Sequence, residues 1–170
     1  MEQPTMNRTV CISFRLAVPD DLNTVASLRQ KAWSTTYRGI YPDDIIDNFD
    51  FSGHKRKDLA KLHDPTFCVY LVCRNYQPVG YLIYQLFQQK LHLHSLNLIS
   101  EARRQGIGRA CLEHVRAYGH KHGLDHFHLQ CNPWNTPAMA FYRSMGGVIV
   151  REDLENVERY MDTVWFRFSI

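Results

Sequence analysis

Residues 96–110, L-N-L-I-S-E-A-R-R-Q-G-I-G-R-A, read as an extended apolar strand that passes through a glycine- and arginine-rich turn into a helix. A strand that feeds directly into a helix must bury its apolar face against other layers of structure, which points to a sheet with helices packed on it. Gly106 and Gly108 have no Cβ, so a ligand can approach the backbone closely. The helix that begins here turns free N–H groups and its positive dipole end toward the same point. Arg103, Arg104 and Arg109 add positive charge around it. The turn is a site for an anion, a phosphate or pyrophosphate.

The surrounding pattern supplies the architecture. Residues 11–18 read as a strand. Pro19-Asp20-Asp21 starts a helix that carries Leu22, Val25, Ala26, Ala32 and Trp33 at helical spacing to about Thr36. A short helix over 43–49 and a polar one over 53–63 follow. Residues 66–74, 79–87 and 91–99 form an antiparallel meander that delivers the chain to the anion turn. A helix over 106–120, burying Ile107, Cys111, Val115 and Tyr118, crosses to a strand at 125–131 that is parallel to its predecessor. Asn135 caps a further helix, with Ala138, Phe141, Tyr142 and Met145 along one stripe. Residues 148–152 and 161–168 close the fold as a hairpin. Residues 1–10 are read as a loose tail and 11–170 as one domain, with no transmembrane run and no apolar signal region.

Two other readings of the turn fit less well. Gly106-Ile107-Gly108-Arg109-Ala110-Cys111 nearly matches the dinucleotide fingerprint, with Cys111 in the third place. That fingerprint opens a repeated βαβ series, whereas this turn follows an antiparallel meander. The lysine of a Walker A loop is absent.

R-R-Q-G-I-G, residues 103–108, resembles the [RQ]-x-x-G-x-[GA] acyl-CoA signature of the GCN5-related N-acetyltransferases (GNAT). N-T-P-A-M-A-F-Y-R-S-M-G, residues 135–146, is similar to that family's N-x-x-A-x-x-x-Y-x-x-x-G element. The two elements in this order and spacing make a specific match, and the resemblance is good over about residues 67–147. It implies the GNAT acyl-CoA N-acyltransferase fold, a mixed α/β sheet whose antiparallel meander is followed by a parallel pair and flanked by helices. It also implies acetyl-CoA as cosubstrate. Its pyrophosphate would lie on the turn from Gln105 through Gly106, Ile107, Gly108 and Arg109 to Ala110, among Arg103 and Arg104. Its pantetheine arm would run beside Leu98, Ile99 and Ser100, with Asn135 and Ala138 on the other side. The family often has proline where this chain has Ser100 and phenylalanine where it has Gly147.

By the same resemblance, Tyr142 is the acid that protonates the departing thiolate. A phenol suits this task because its pKa of ~10 is near that of an alkyl thiol. The bland alternative is a packing residue in its helical stripe. Some family members carry a basic glutamate where this chain has His92; His94 follows on the same side. Imidazole titrates near neutrality, so His92 is the candidate general base, against the reading of a partly exposed strand histidine. Trp33, Tyr37 and Tyr41 fall in the family's acceptor-side lid, where aromatics either pack on substrate or simply join the core.

Composition narrows the rest. A net charge of +3 with dispersed basic residues gives no nucleic-acid surface. The five cysteines form no C-x-x-C pair and suit a reducing, cytoplasmic setting. Three H-x-H pairs offer no set of four ligands, so no metal is expected. The reading is an acetyl-CoA-dependent N-acetyltransferase, cytoplasmic and membrane-free, acting on an amine of a small molecule or peptide. The resemblance also allows a homodimer. The rival is a non-catalytic CoA-binding module that senses acyl-CoA or binds a partner protein.

Overall fold

In the computed structural model, which describes residues 10–170, side-chain alternation in two central strands divides the interior into two cores. Along β2 (Phe67–Arg74) and β3 (Gln77–Phe87), Val69, Leu71, Tyr81 and Ile83 face one side, and Val72, Leu82 and Tyr84 face the other. The first side is covered by α1 (Leu22–Thr36) and α3 (Phe51–His63). The second is covered by α4 (Ile107–Lys121) and α5 (Thr136–Ser144). Of the expected N-terminal tail, residues 1–9 lie outside the described residues.

The sheet is completed by β1 (Ile12–Leu16), β4 (Lys90–Leu98), β5 (His126–Cys131), β6 (Val148–Asp153) and β7 (Thr163–Ser169). Its seven strands run in the order β1-β2-β3-β4-β5-β7-β6. The meander turns back through Asn75-Tyr76 and Gln88-Gln89, all four residues at positive φ, as tight hairpin turns require. The closing hairpin forms as expected, but β7 rather than β6 lies beside β5. Met161 belongs to a short turn before β7 and not to the strand. A short α2 (Asp43–Asp47) links α1 to α3.

The expected parallel contact between β4 and β5 is brief. It pairs only His92 with His128 and Leu93 with Leu129. His94 is then extruded as a bulge, since Tyr84 opposes Leu93 and Ile83 opposes Ser95. Beyond it, β4 stays with β3 to Leu98, and β5 stays with β7 to Cys131. The two strands part, and their facing backbone edges are left without a ladder partner.

The α1–α3 pair is locked from within. Arg29 donates to Asp58 at 2.7 Å, and Lys61 holds the other carboxylate oxygen at 2.9 Å. The Arg29 guanidinium lies 4.7 Å from the Tyr81 ring centroid. This buried pair ties the helix that ends at the site to the sheet.

Candidate functional site

The parting of β4 and β5 opens a cavity of about 700 Å³. Leu96, Asn97 and Leu98 line one wall, and Gln130, Cys131 and Asn132 the other. The anion turn closes one end. There Gly106 adopts φ +78°, and a Cβ at this position would meet open space, so its conformation and not crowding calls for glycine. The first backbone bond of α4 runs from the Ala110 N–H to the Gly106 carbonyl at 3.1 Å. The preceding amides of Ile107, Gly108 and Arg109 therefore have no helical acceptor and remain available to an anion.

Gly108 serves another purpose. A Cβ on it would stand 2.9 Å from Phe141 Cζ, so its bareness lets α4 and α5 approach each other. Arg104 and Arg109 are exposed beside the turn and have no carboxylate partner among the described residues. Arg103 is engaged by neutral groups of the protein. Its Nε donates to the Leu98 carbonyl at 3.1 Å and its Nη2 to Thr36 Oγ1 at 2.9 Å, tying the end of β4 to the end of α1. The Gln105 side chain donates to the Glu101 carbonyl and accepts from Arg74, a brace that lies outside the motif itself.

Asn135 caps α5 through the Ala138 N–H at 3.3 Å while lining the cavity. The expected stripe of α5 divides. Met139, which is outside it, is the buried anchor, whereas Ala138, Phe141, Tyr142 and Met145 are partly buried along the cavity wall. The Tyr142 ring packs near Phe166 and Phe168, and burial holds its phenol well above the ordinary tyrosine range. Across the cavity, burial pushes the Tyr37 phenol up to about 12, with smaller contributions from Tyr41 and Cys131. Burial likewise raises the Cys131 thiol to about 12, which keeps it protonated and inert near neutrality.

The family described as Acetyltransferase (GNAT) matches residues 24–146. The chain belongs to this family. Membership carries the activity class: acetyl-CoA-dependent N-acetyl transfer. Two solved structures share the fold of this acetyltransferase. PaiA N-acetyltransferase from Thermoplasma acidophilum, in complex with coenzyme A, superimposes with a TM-score of 0.82 at 19% identity, over 94% of this chain and 99% of that one. Ribosomal-protein-alanine N-acetyltransferase from Brucella melitensis gives 0.70 at 21% identity, over 93% and 99%. No curated protein matches the sequence. Among the described residues, no helix is long and apolar enough to cross a membrane, and no cluster of metal-ligating side chains occurs.

Within this acetyltransferase, Leu98, Arg103, Arg104, Gly106, Gly108, Arg109, Asn135, Ala138, Tyr142 and Tyr37 all line the cavity. Other expected residues do not. Ile99 packs between the two cores, Ser100 bonds Glu101, and Ile107 is buried in the core with only its amide directed at the turn. Ala110 uses its amide within the helix. His92 does not line the cavity, although its ring lies 4.6 Å from that of His94. The imidazole that reaches the cavity is His94, displaced by the bulge, which bonds Gln85 at 3.2 Å. Partial burial, then His92 and Lys61, depress its pKa to about 4. Trp33 and Tyr41 stand behind Tyr37 rather than on the cavity: Trp33 packs on Phe49 and His54, and Tyr41 stacks on Tyr160 at 4.9 Å. The signal for Asn132, Cys131 and Phe141 was present only as strand and helix periodicity, which does not distinguish a cavity wall from a core.

Proposed function

We propose that the protein moves the acetyl group of acetyl-CoA onto a primary amine of a small molecule or peptide by direct attack of the amine. The observation that carries this reading is the parted β4–β5 edge, closed at one end by free amides and bordered by the Tyr142 hydroxyl. The residues fit the cosubstrate. The amides of Ile107, Gly108 and Arg109, with Arg104 and Arg109, suit a pyrophosphate, and the unpaired strand edges suit the amides of a pantetheine arm. Acetyl-CoA supplies an activated acetyl thioester.

The chain's own groups then orient and move protons. Asn135 and the β4 edge would hold the arm, with Tyr142 on the same cavity. The phenol, kept protonated by burial, delivers its Oη proton to the sulfur as the carbon–sulfur bond breaks. The amine must shed a proton as the new carbon–nitrogen bond forms. His94 is the imidazole positioned to accept it, neutral at pH 7 and weakly basic. The free cysteines suit a reducing, cytoplasmic setting.

The test is thiol release from acetyl-CoA across a panel of amines, with mass detection of the acetylated product. Amine-dependent thiol release is expected. Tight coenzyme binding without release for any amine would instead favour the non-catalytic CoA-binding reading.

A further inference from the structure

A second cavity of about 300 Å³ adjoins the first, sharing Thr36, Arg103, Asn135 and Pro137 with it. Three arginines line it, Arg38, Arg103 and Arg159, and no carboxylate does. It is assembled from segments far apart in the chain: the end of α1, the loop before α5, and the loop between β6 and β7.

The three charges differ in their freedom. Arg38 is paired with both Asp43 and Asp47. Arg103 donates only to neutral oxygens, those of Leu98, Thr36 and Thr35. Arg159 is exposed, and its guanidinium lies 4.3 Å from the Trp134 ring centroid. Trp134 is itself held, its indole N–H donating to Asp162 at 2.9 Å. Asp162 also accepts from the backbone and side-chain nitrogens of Asn156, each at 3.0 Å, and although it makes no direct ion pair with Arg159, the arginine's charge helps to lower its pKa. Neither Arg103 nor Arg159 has a carboxylate partner among the described residues. Two guanidinium groups that make no direct ion pair face one small cavity with no carboxylate in its lining, which favours an anionic occupant, and the planar fork of arginine matches the two oxygens of a carboxylate.

The glycine turn offers the coenzyme's pyrophosphate a separate place. The anion turn has its own amides and arginines, and Gly106, Gly108, Arg104 and Arg109 line the larger cavity alone.

We infer that the acceptor is an amine that also carries a carboxylate, seated by Arg159 and Arg103 in this second cavity while its amine reaches the thioester. The inference rests on the acyl-transfer reading and narrows it to an acidic acceptor, an amino acid or a peptide with a nearby carboxylate. The cation–aromatic contact of Arg159 with Trp134 restricts the guanidinium before the acceptor arrives, which reduces the ordering cost of binding.

The experiment compares matched pairs of acceptors. Glycine, β-alanine, γ-aminobutyrate and ε-aminocaproate are each set against their methylamides, so that the spacing between amine and carboxylate varies. Two readouts are taken: kcat/KM for acetylation, and calorimetric binding of each compound to the CoA-loaded protein. At one or more spacings the acid is expected to exceed its amide by about tenfold or more, the factor that ~1.4 kcal/mol carries. Arg159→Gln should bring that ratio toward one, and Arg159→Lys should retain part of it; thermal melting checks folding. Equal use of acid and amide at every spacing would overturn the inference, as would a ratio unchanged in Arg159→Gln. Failure to bind or acetylate any acid would overturn it too. An Arg159→Gln loss of acetyl-CoA affinity equal to the loss for the acid would assign the cavity to the coenzyme. Arg159-dependent binding of the acid without turnover would leave the anion site standing and remove the acyl-transfer reading.

Discussion

Gly108 and Phe141 meet across the α4–α5 seam so closely that a Cβ on the glycine would stand 2.9 Å from the phenyl Cζ. The glycine turn proposed to receive the coenzyme and the helix that carries Tyr142 are therefore mechanically joined. Gly108→Val should push Phe141 aside and separate the two elements, costing the ~1–3 kcal/mol of stability typical of overpacking and lowering acetyl-CoA affinity. Trimming the obstacle in the Gly108→Val/Phe141→Leu double variant should recover part of the loss. Calorimetric titration with acetyl-CoA measures both. Equal affinities in the single and double variants would mean that the valine obstructs the ligand directly, as the sequence suggested.

Tyr142→Phe keeps the ring beside Phe166 and Phe168 and removes only the hydroxyl. It should lower kcat by ~10²-fold or more while acetyl-CoA affinity and melting temperature stay near the parent values. Burial raises the phenol's pKa, so the proton remains on Tyr142 through neutral and moderately alkaline pH. Tyr142 should thus produce no fall in kcat on the alkaline side of neutrality. Wild-type turnover by the phenylalanine variant, with chemistry rate-limiting, would make Tyr142 a packing residue.

The imidazoles separate on geometry. His94→Gln should reduce kcat/KM and remove its pH dependence, whereas His92→Gln, off the cavity, should keep that dependence but move it to higher pH, because His92 helps to depress the His94 pKa. His94 also affects stability. Its pKa drops from 6.5 in the unfolded chain to about 4 in the fold, so the unfolded state binds more protons between those values. Its contribution is complete above pH 6.5 and is lost as pH falls toward 4. His94→Gln should flatten the melting-temperature profile over that window, modestly because the ring is exposed to solvent. A profile identical to the parent's would contradict the depressed pKa.

Tyr41 and Tyr160 join the loop after α1 to the loop between β6 and β7, with centroids 4.9 Å apart. Tyr41→Ala should loosen this bridge, an aromatic pair of ~0.5–1.5 kcal/mol, and raise KM for the acceptor by several-fold with little effect on acetyl-CoA binding. Steady-state kinetics with each substrate varied in turn distinguishes the two. Equal losses for both substrates would place Tyr41 in general packing.

The glycine turn was legible because its pattern is local: Arg104, Gly106, Gly108 and Arg109 lie within one strand–turn–helix passage, and residues so close in sequence there line one cavity. The strands and helices were legible for the same reason, since alternation and helical spacing are written along the chain. Roles that depend on register were not. A single bulge puts His94 rather than His92 on the cavity, and no local pattern around H-L-H marks where a ladder will slip. The link from Arg103 to Thr36 of α1, 67 residues away in sequence, was not legible either. The Arg159–Trp134 contact and the cavity beneath it are likewise a product of packing. Their residues belong to loops whose meeting is decided by β7 entering beside β5, a pairing set by the global sheet order and not by either segment alone.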